Sequence, residues 1–271
     1  MKSFLKKSQE RCALFRKRIL DISQQVQAIH IGGSYSSIEI IDCIYNGLMN
    51  KDIHGEGKDI FILSKGHAGI AQYVVLESLH IINSNDLADY SLFDGKFSVH
   101  PDIKNPGISA STGSLGHGLG IATGIAYAHK NIFKTDIIVY VVISDGEMQE
   151  GSTWESLMMA ANLNLKNLVI ILDHNKFQSF RRALDHHPAL YPILDKVKAF
   201  GYEVDEVDGH NSMEIYDSIK HRDGKKPLFV IADTIKGKGV SYMENNPIWH
   251  YRSPSKKEYA IAISELNKGL E

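Results

Sequence analysis

Asp145 and Asn175 are the residues whose types and spacing speak most directly of chemistry. Asp145 stands in Ser144-Asp145-Gly146-Glu147-Met148-Gln149-Glu150-Gly151, directly after an apolar run. Asn175 follows thirty residues later in Asp173-His174-Asn175-Lys176, at the end of the next apolar run. A carboxylate and an amide oxygen suit a hard divalent cation such as Mg²⁺, which keeps some water and takes phosphate oxygens as further ligands. Gly146 lets the backbone approach a phosphate, and a helix starting just beyond would point its positive N-terminus at it. An Asp-Gly pair alone is an ordinary β-turn. Strand, turn, helix, strand and amide in this order make the pair a candidate clamp for a cation and a diphosphate.

Other residues could serve the same site. Gly113-Ser114-Leu115-Gly116-His117-Gly118 precedes a helical stretch, and its glycines could either cradle a diphosphate or simply allow tight helix–sheet packing. Among thirteen histidines, His30, His67, His100 and His250 each lie beside a Gly, a Pro or an element end, where side chains reach pockets. Imidazoles there suit proton transfer around a sugar or keto substrate near neutral pH. His186-His187 and the loop Thr234-Ile-Lys-Gly-Lys-Gly239 read more simply as solvated turns than as a metal pair and a phosphate loop.

Those residues need elements to hold them. The chain has 271 residues, 43% of them apolar and 23% charged, enough to bury a substantial core. A net charge of −2 gives no reason to expect nucleic acid or an anionic membrane as partner. The longest apolar run, residues 137–143, is too short to span a bilayer, and no signal-peptide pattern opens the chain. Cys12 and Cys43 read as reduced core residues of a cytoplasmic protein. Apolar residues at helical spacing (Leu5, Cys12, Phe15, Ile19, Ile22, Val26, Ile29) predict an N-terminal helix over 4–29, ended by Gly32-Gly33. Further helices are predicted over 36–49, 66–79, 113–128, 190–200 and 212–221, and one over 152–163 opened by a Ser152–Glu155 capping box. Buried strands are predicted at 59–64, 137–143, 168–172, 202–204 and 228–232. Strands alternating with helices mean an α/β fold with a doubly wound, mainly parallel sheet flanked by helices. No linker composition divides it, so one domain over 1–271 is expected, with an irregular tail from about 236.

Ordered together, these segments resemble the N-terminal part of transketolases, enzymes that use thiamine diphosphate. The resemblance rests on Ile29-His30-Ile31-Gly32-Gly33-Ser34, Phe61-Ile-Leu-Ser-Lys-Gly-His67, His100-Pro101, Ser111-Thr-Gly-Ser-Leu-Gly-His-Gly118, Asp145-Gly146 with Glu150-Gly151, Asp173-His-Asn175, Val207-Asp-Gly-His210, Lys236-Gly-Lys-Gly239 and Trp249-His250. It implies the diphosphate-binding domain of that superfamily. It implies Mg²⁺ (or Ca²⁺ or Mn²⁺) held by Asp145, Asn175 and the main-chain carbonyl of Phe177. His67, Gly113, Ser114, Leu115, Gly146 and His250 would contact the cofactor, beside the metal ligand Asn175. Glu150 would join a carboxylate network between paired sites. His30, His67, His100 and His250 would face the sugars, and the reaction would be transfer of a two-carbon ketol unit from a ketose, often a sugar phosphate, to an aldose.

In that family the glutamate that activates the cofactor lies in a following domain, which this chain lacks up to Glu271. The resemblance is strongest to the stand-alone N-terminal subunits of two-chain transketolases. It therefore implies a separate C-terminal subunit carrying the pyrimidine-binding domain, in a heterotetramer. Two departures stand out. Ser144 replaces the usual glycine before the aspartate, and the loop 176–183 loses an Ile-Asp-Gly portion and gains Arg181-Arg182. That loop suggests a specialised sugar pathway. The competing readings are the α subunit of a 2-oxoacid dehydrogenase and a non-catalytic cofactor-binding regulator.

Overall fold

The runs Val139–Ser144, Leu168–His174 and Leu228–Asp233 are rich in β-branched and large apolar residues, which pack well on a pleated sheet covered on both faces. A computed structural model describes residues 2–50 and 58–268, with the side chains of 2–6, Leu5 among them, outside that description. In chain order its elements are α1 (Lys2–Ser23), α2 (Ile31–Cys43), β1 (Ile60–Leu63), α3 (Gly69–Ser78), α4 (Gly118–Tyr127), β2 (Val139–Ser144), α5 (Gly151–Asn162), β3 (Leu168–His174), β4 (Phe177–Gln178), β5 (Arg181–Arg182), α6 (Ala183–His186), α7 (Ile193–Ala199), β6 (Glu203–Asp208), α8 (Ser212–Lys220), β7 (Leu228–Asp233) and α9 (Lys256–Lys268). Five strands form one wholly parallel sheet in the order β1-β2-β3-β7-β6. β4 and β5 form a separate antiparallel hairpin.

Side chains alternate along each strand, so the sheet separates two cores. Tyr140, Val142, Val169, Ile171 and Val230 pack with α1, α2, α3, α8 and α9. Val141, Ile143, Ile170, Leu172 and Phe229 pack with α4, α5 and α7. Each face buries enough apolar area to fix the register, because a one-residue slip would exchange the two faces. Cys12 and Cys43 are buried free thiols. Among the described residues no helix is long and apolar enough to cross a membrane.

Five details differ from the sequence reading. The first helix ends at Ser23, whose hydroxyl turns back to the Leu20 carbonyl (2.5 Å). Gly32 and Gly33 do not end a helix; they lie in the first turn of α2, where a Cβ on Gly32 would come within 2.8 Å of the Trp249 carbonyl. The stretch 113–117 is loop, since Gly113 and Gly116 have φ of +144° and +82°, outside any right-handed helix. The Ser152–Glu155 capping box does not form: a 3₁₀ turn at Glu147–Gln149 delivers the chain to Glu150 as N-cap, placing Ser152 already inside α5. The tail is irregular only as far as Ser255, because α9 then packs Ala262 and Leu266 into the core. Its start is a reciprocal cap, with Ser255 N–H donating to Glu258 (2.7 Å) and Glu258 N–H to Ser255 Oγ (3.3 Å).

A buried ion pair fastens α1 to α2. Arg16 reaches both oxygens of Glu39 (2.6 and 2.7 Å) and also donates to the Tyr35 carbonyl (2.8 Å). Burial would raise the Glu39 carboxyl, but Arg16 and His210 outweigh it and bring it down to about 2. Removing one partner strands the other's charge in the core, which costs about 3–5 kcal/mol. Arg16→Ala should therefore lower the urea-unfolding free energy by about that amount. A loss under about 1 kcal/mol would show that this pair does not hold the helices together.

Candidate active site

Because all five strands run the same way, their carboxyl ends open on one edge, where ligands bind in open α/β sheets. β1 delivers residues 64–67 there, β2 delivers 144–146, β3 delivers 173–175 and β7 delivers 233–236. The register sets Ser144 of β2 beside Asp173 of β3, so the Asp145 turn and Asn175 emerge as neighbours. Between them lies a cleft of about 390 Å³, within the range of ligand sites. Two wider grooves of about 470 and 460 Å³ are lined mainly by solvent-facing charges.

The four singled-out histidines converge in this cleft. The His30 ring lies 5.4 Å from His67, 6.3 Å from His100 and 5.2 Å from His250, and His67 lies 5.7 Å from His250. They come from four separate segments: the N-cap of α2, the turn after β1, the loop before Pro101, and the segment before α9. Burial, then His100 and Lys236, push His30 down to about 4. Burial and Lys236 push His250 down to about 3. Burial and Lys65 hold His67 well below its ordinary value, and partial burial lowers His100. All four are thus neutral at physiological pH, and the His30 Nδ1 is buried with no partner.

Two buried lysines underlie the rings. Lys65, fully buried, pairs with Asp173 and donates to the Gly33 carbonyl (2.8 Å). Lys236 donates to the Ser179 carbonyl (2.8 Å) and lies 3.2 Å from His250 Nδ1. Burial, reinforced by Lys65, brings its ammonium down to about 7. An ammonium donating to Nδ1 would leave the proton of neutral His250 on Nε2.

Asp145 lies beneath the cleft, fully buried. Its Oδ1 is 2.5 Å from His174 Nδ1, and its Oδ2 accepts from the Lys176 N–H (2.7 Å). Burial raises its carboxyl against these bonds, and Asp145 in turn raises the His174 imidazole against its own burial. Asn175 Oδ1 accepts from the Phe177 N–H (3.0 Å). Asp145 Oδ2 and Asn175 Oδ1 therefore both accept from backbone N–H groups of the one short turn after β3. An all-oxygen set with a buried carboxylate fits a hard divalent cation.

Of the residues singled out from the sequence, His30, His67, His100, Gly113, Leu115, Gly146, Glu150, Asn175, Phe177 and His250 line the cleft. A Cβ on Gly113 would strike the His100 ring at 2.7 Å. Ser114 is exposed and does not line it. The 234–239 loop is not a solvated turn: Thr234 and Lys236 are buried and Lys236 reaches the cleft. Sequence reasoning gave Lys65, Gln178 and Ser179 no role and took Lys236 for part of a solvated turn, although each lies in or next to a segment that carries the resemblance. The signal available was a lysine followed by a glycine just past a strand end, in Lys65-Gly66 and Lys236-Gly237. His186 and His187 are exposed.

Comparison with known proteins agrees with this geometry. Residues 8–263 match the family model described as transketolase, thiamine diphosphate binding domain. The chain is 37% identical over 261 residues to one subunit of the apulose-4-phosphate transketolase of Phocaeicola vulgatus, covering 94% of this chain and 92% of the relative. It is 34% identical to the 6-deoxy-6-sulfo-D-fructose transketolase subunit of a Clostridium species, covering 96% of each. The solved transketolase of Campylobacter jejuni shares the fold with a TM-score of 0.86 at 24% identity, over 98% of this chain and 43% of that one. With a family model matched over most of its length, and relatives matched nearly end to end, the chain belongs to the transketolase family and carries its thiamine diphosphate binding domain.

Proposed function

We propose that this transketolase subunit holds thiamine diphosphate in the histidine-lined cleft and transfers ketol units between sugars together with a separate C-terminal subunit. That second chain would supply the pyrimidine-binding domain, in a heterotetramer working in the cytoplasm. The observation that carries the reading is the convergence of four neutral imidazoles and the buried Lys236 on one cleft that Gly146 and Asn175 also line. Relatives whose names mark them as individual subunits of a transketolase support a partner chain, and the two buried free thiols suit a reducing compartment. Asp145, Asn175 and the Phe177 carbonyl would hold Mg²⁺, or Ca²⁺ or Mn²⁺ in its place. The backbone of Gly113, Leu115 and Gly146 would receive the diphosphate, and Lys236 lines the same cleft.

When bound, thiamine diphosphate supplies the electron sink for breaking and re-forming a carbon–carbon bond beside a ketose carbonyl. The chain's own residues do the rest. Neutral His30 and His250 can each take a proton at one ring nitrogen while giving one at the other. Lys236 orients His250 through Nδ1. His67 and His100 wall the cleft between them and narrow the water it admits. Glu150, exposed at the rim of the cleft, would meet a carboxylate from a neighbouring chain.

The altered loop bears on substrate choice. Phe177–Gln178 and Arg181–Arg182 pair as a hairpin, and Phe180 at its tip stands edge-on to His250 with ring centroids 5.3 Å apart. Phe180 is 55% exposed, so an apolar wall stands where the family pattern has a carboxylate. This supports a specialised ketose, such as a branched or modified sugar phosphate, over the substrates of the central pentose route.

Three outcomes check this reading. Asp145→Ala should abolish Mg²⁺-dependent thiamine diphosphate binding in calorimetry, whereas His250→Ala should keep binding and cut turnover by about 10²–10⁴-fold. Normal cofactor binding by Asp145→Ala would refute the metal assignment. Purified with its partner chain, the protein should turn over xylulose 5-phosphate with ribose 5-phosphate more slowly than its preferred ketose. Equal rates, or full activity of this chain alone, would count against the proposal. His30 and His250 stay neutral in the fold down to about 4 and 3, but protonate near 6.5 in the unfolded chain. Between those limits the unfolded state binds more protons, so stability falls as pH drops from about 6.5. The melting temperature should decline from pH 7 to 4.5, less steeply in His30→Asn/His250→Asn, and an unchanged slope in that variant would contradict the assignment.

A further inference from the structure

Glu147 has no role in the reaction described above, yet its side chain is fully buried beside the cleft. Its Oε1 accepts the Gly116 N–H (3.0 Å) and the Ser64 hydroxyl. Its Oε2 is buried with no partner among the described residues. A carboxyl left half-satisfied in the interior is costly, and each such group calls for an explanation. Glutamine or an apolar residue would fill the same space at lower cost.

The explanation lies in what the bonds join. Ser64 begins the turn that carries Lys65 and His67. Gly116 belongs to the 113–118 loop, whose residues Gly113 and Leu115 line the cleft. Glu147 itself follows directly on Asp145-Gly146, and its own backbone is tied down, with its N–H donating to Ser144 Oγ (3.4 Å) and its carbonyl accepting from Thr153 Oγ1 (2.8 Å). The carboxyl thus reaches from the anchored metal turn to the two other segments at once. It grips the loop by the Gly116 N–H, within three residues of the cleft-lining Gly113 and Leu115.

We infer that Glu147 is a positioning residue that clasps the 113–118 loop and the Ser64 turn to the Asp145-Gly146 turn, fixing the backbone that receives the diphosphate. This rests on reading the cleft as a diphosphate site. The side chain touches neither the cofactor cleft nor the substrate, and acts through the loop it holds.

The test compares Glu147→Ala, Glu147→Gln and the unaltered chain by two readouts. One is exchange of the Gly116 amide, followed by NMR without ligand. The other is the Kd for thiamine diphosphate with Mg²⁺. Glu147→Ala should speed Gly116 exchange and weaken cofactor binding about 10- to 100-fold, the usual cost of leaving a buried donor without its acceptor. Glu147→Gln keeps an acceptor at Oε1 and should restore both to near the unaltered values. Unchanged exchange and affinity in Glu147→Ala would overturn the inference, as would a glutamine variant no better than alanine. Should Glu147→Ala fail to fold, Ser64→Ala removes one of the two donors and should weaken binding and loosen the loop in the same direction, with no change overturning it. If the unaltered protein binds no thiamine diphosphate, the cofactor reading fails, while Gly116 exchange still decides whether Glu147 holds the loop.

Discussion

The Asp173 carboxylate, buried at the end of β3, is the point on which the rest of the site depends. It accepts from the Lys65 ammonium, from Ser36 Oγ (2.7 Å), from Thr234 Oγ1 (2.5 Å) and from Asn175 Nδ2 (3.2 Å). These donors come from the turn after β1, from α2, from the end of β7 and from the turn after β3. Lys65 continues the link to the Gly33 carbonyl in the first turn of α2. Burial works against the charge, but Lys65 and the hydroxyls keep Asp173 below its ordinary range. A buried carboxylate with four donors is stable only when all of them are present. The hub therefore forces four distant segments into one arrangement, and Asn175 inherits its orientation from it.

This hub also sets the charge of the cleft. Lys65 is neutralised by Asp173, while Lys236, on the same side of the sheet end, has no carboxylate of its own and donates to a carbonyl and lies against an imidazole. The cleft is thus slightly positive around rings that burial keeps neutral. On the proposed function, a diphosphate would meet a cation there, and a sugar would meet groups that can move protons without carrying fixed charge. The Arg16–Glu39–His210 chain supports this from behind. His210 Nδ1 donates to Glu39 (3.0 Å) while its Nε2 accepts the Ile235 N–H (2.8 Å), which fixes the backbone just ahead of Lys236.

Much of this was legible in the residues. The parallel sheet followed from continuous apolar runs alternating with helical spacing, and the register brought Asp145 and Asn175 together as neighbouring strand ends require. The cleft-lining residues foreseen, His30, His67, Gly113 and Gly146 among them, sit at glycine-rich turns and element ends. Errors came where a local rule met a distant neighbour. Gly32-Gly33 looked like a helix stop because glycine usually weakens helices, but the Trp249 carbonyl needs the space. Ser152–Glu155 has cap spacing and is no cap, whereas Ser255–Glu258 has the same spacing, is a cap, and was passed over within a tail taken as irregular. Lys236 looked like a solvated turn residue because its burial is created by segments far away in the chain.

Side-chain chemistry and periodicity act over a few residues, so the sequence by itself determined the element types, the strand-end placement of the acidic turn and the family resemblance. Contacts between residues many positions apart depend on how the sheet closes, and only the tertiary structure decided those. It joined Lys65 to Asp173, gathered His30, His67, His100 and His250 around one space, and set Phe180 against His250. It also buried Glu147 with one oxygen unpaired. The ionisation of these groups was likewise decided there, because a pKa responds to burial and to neighbouring charge, and neither exists until the chain has folded.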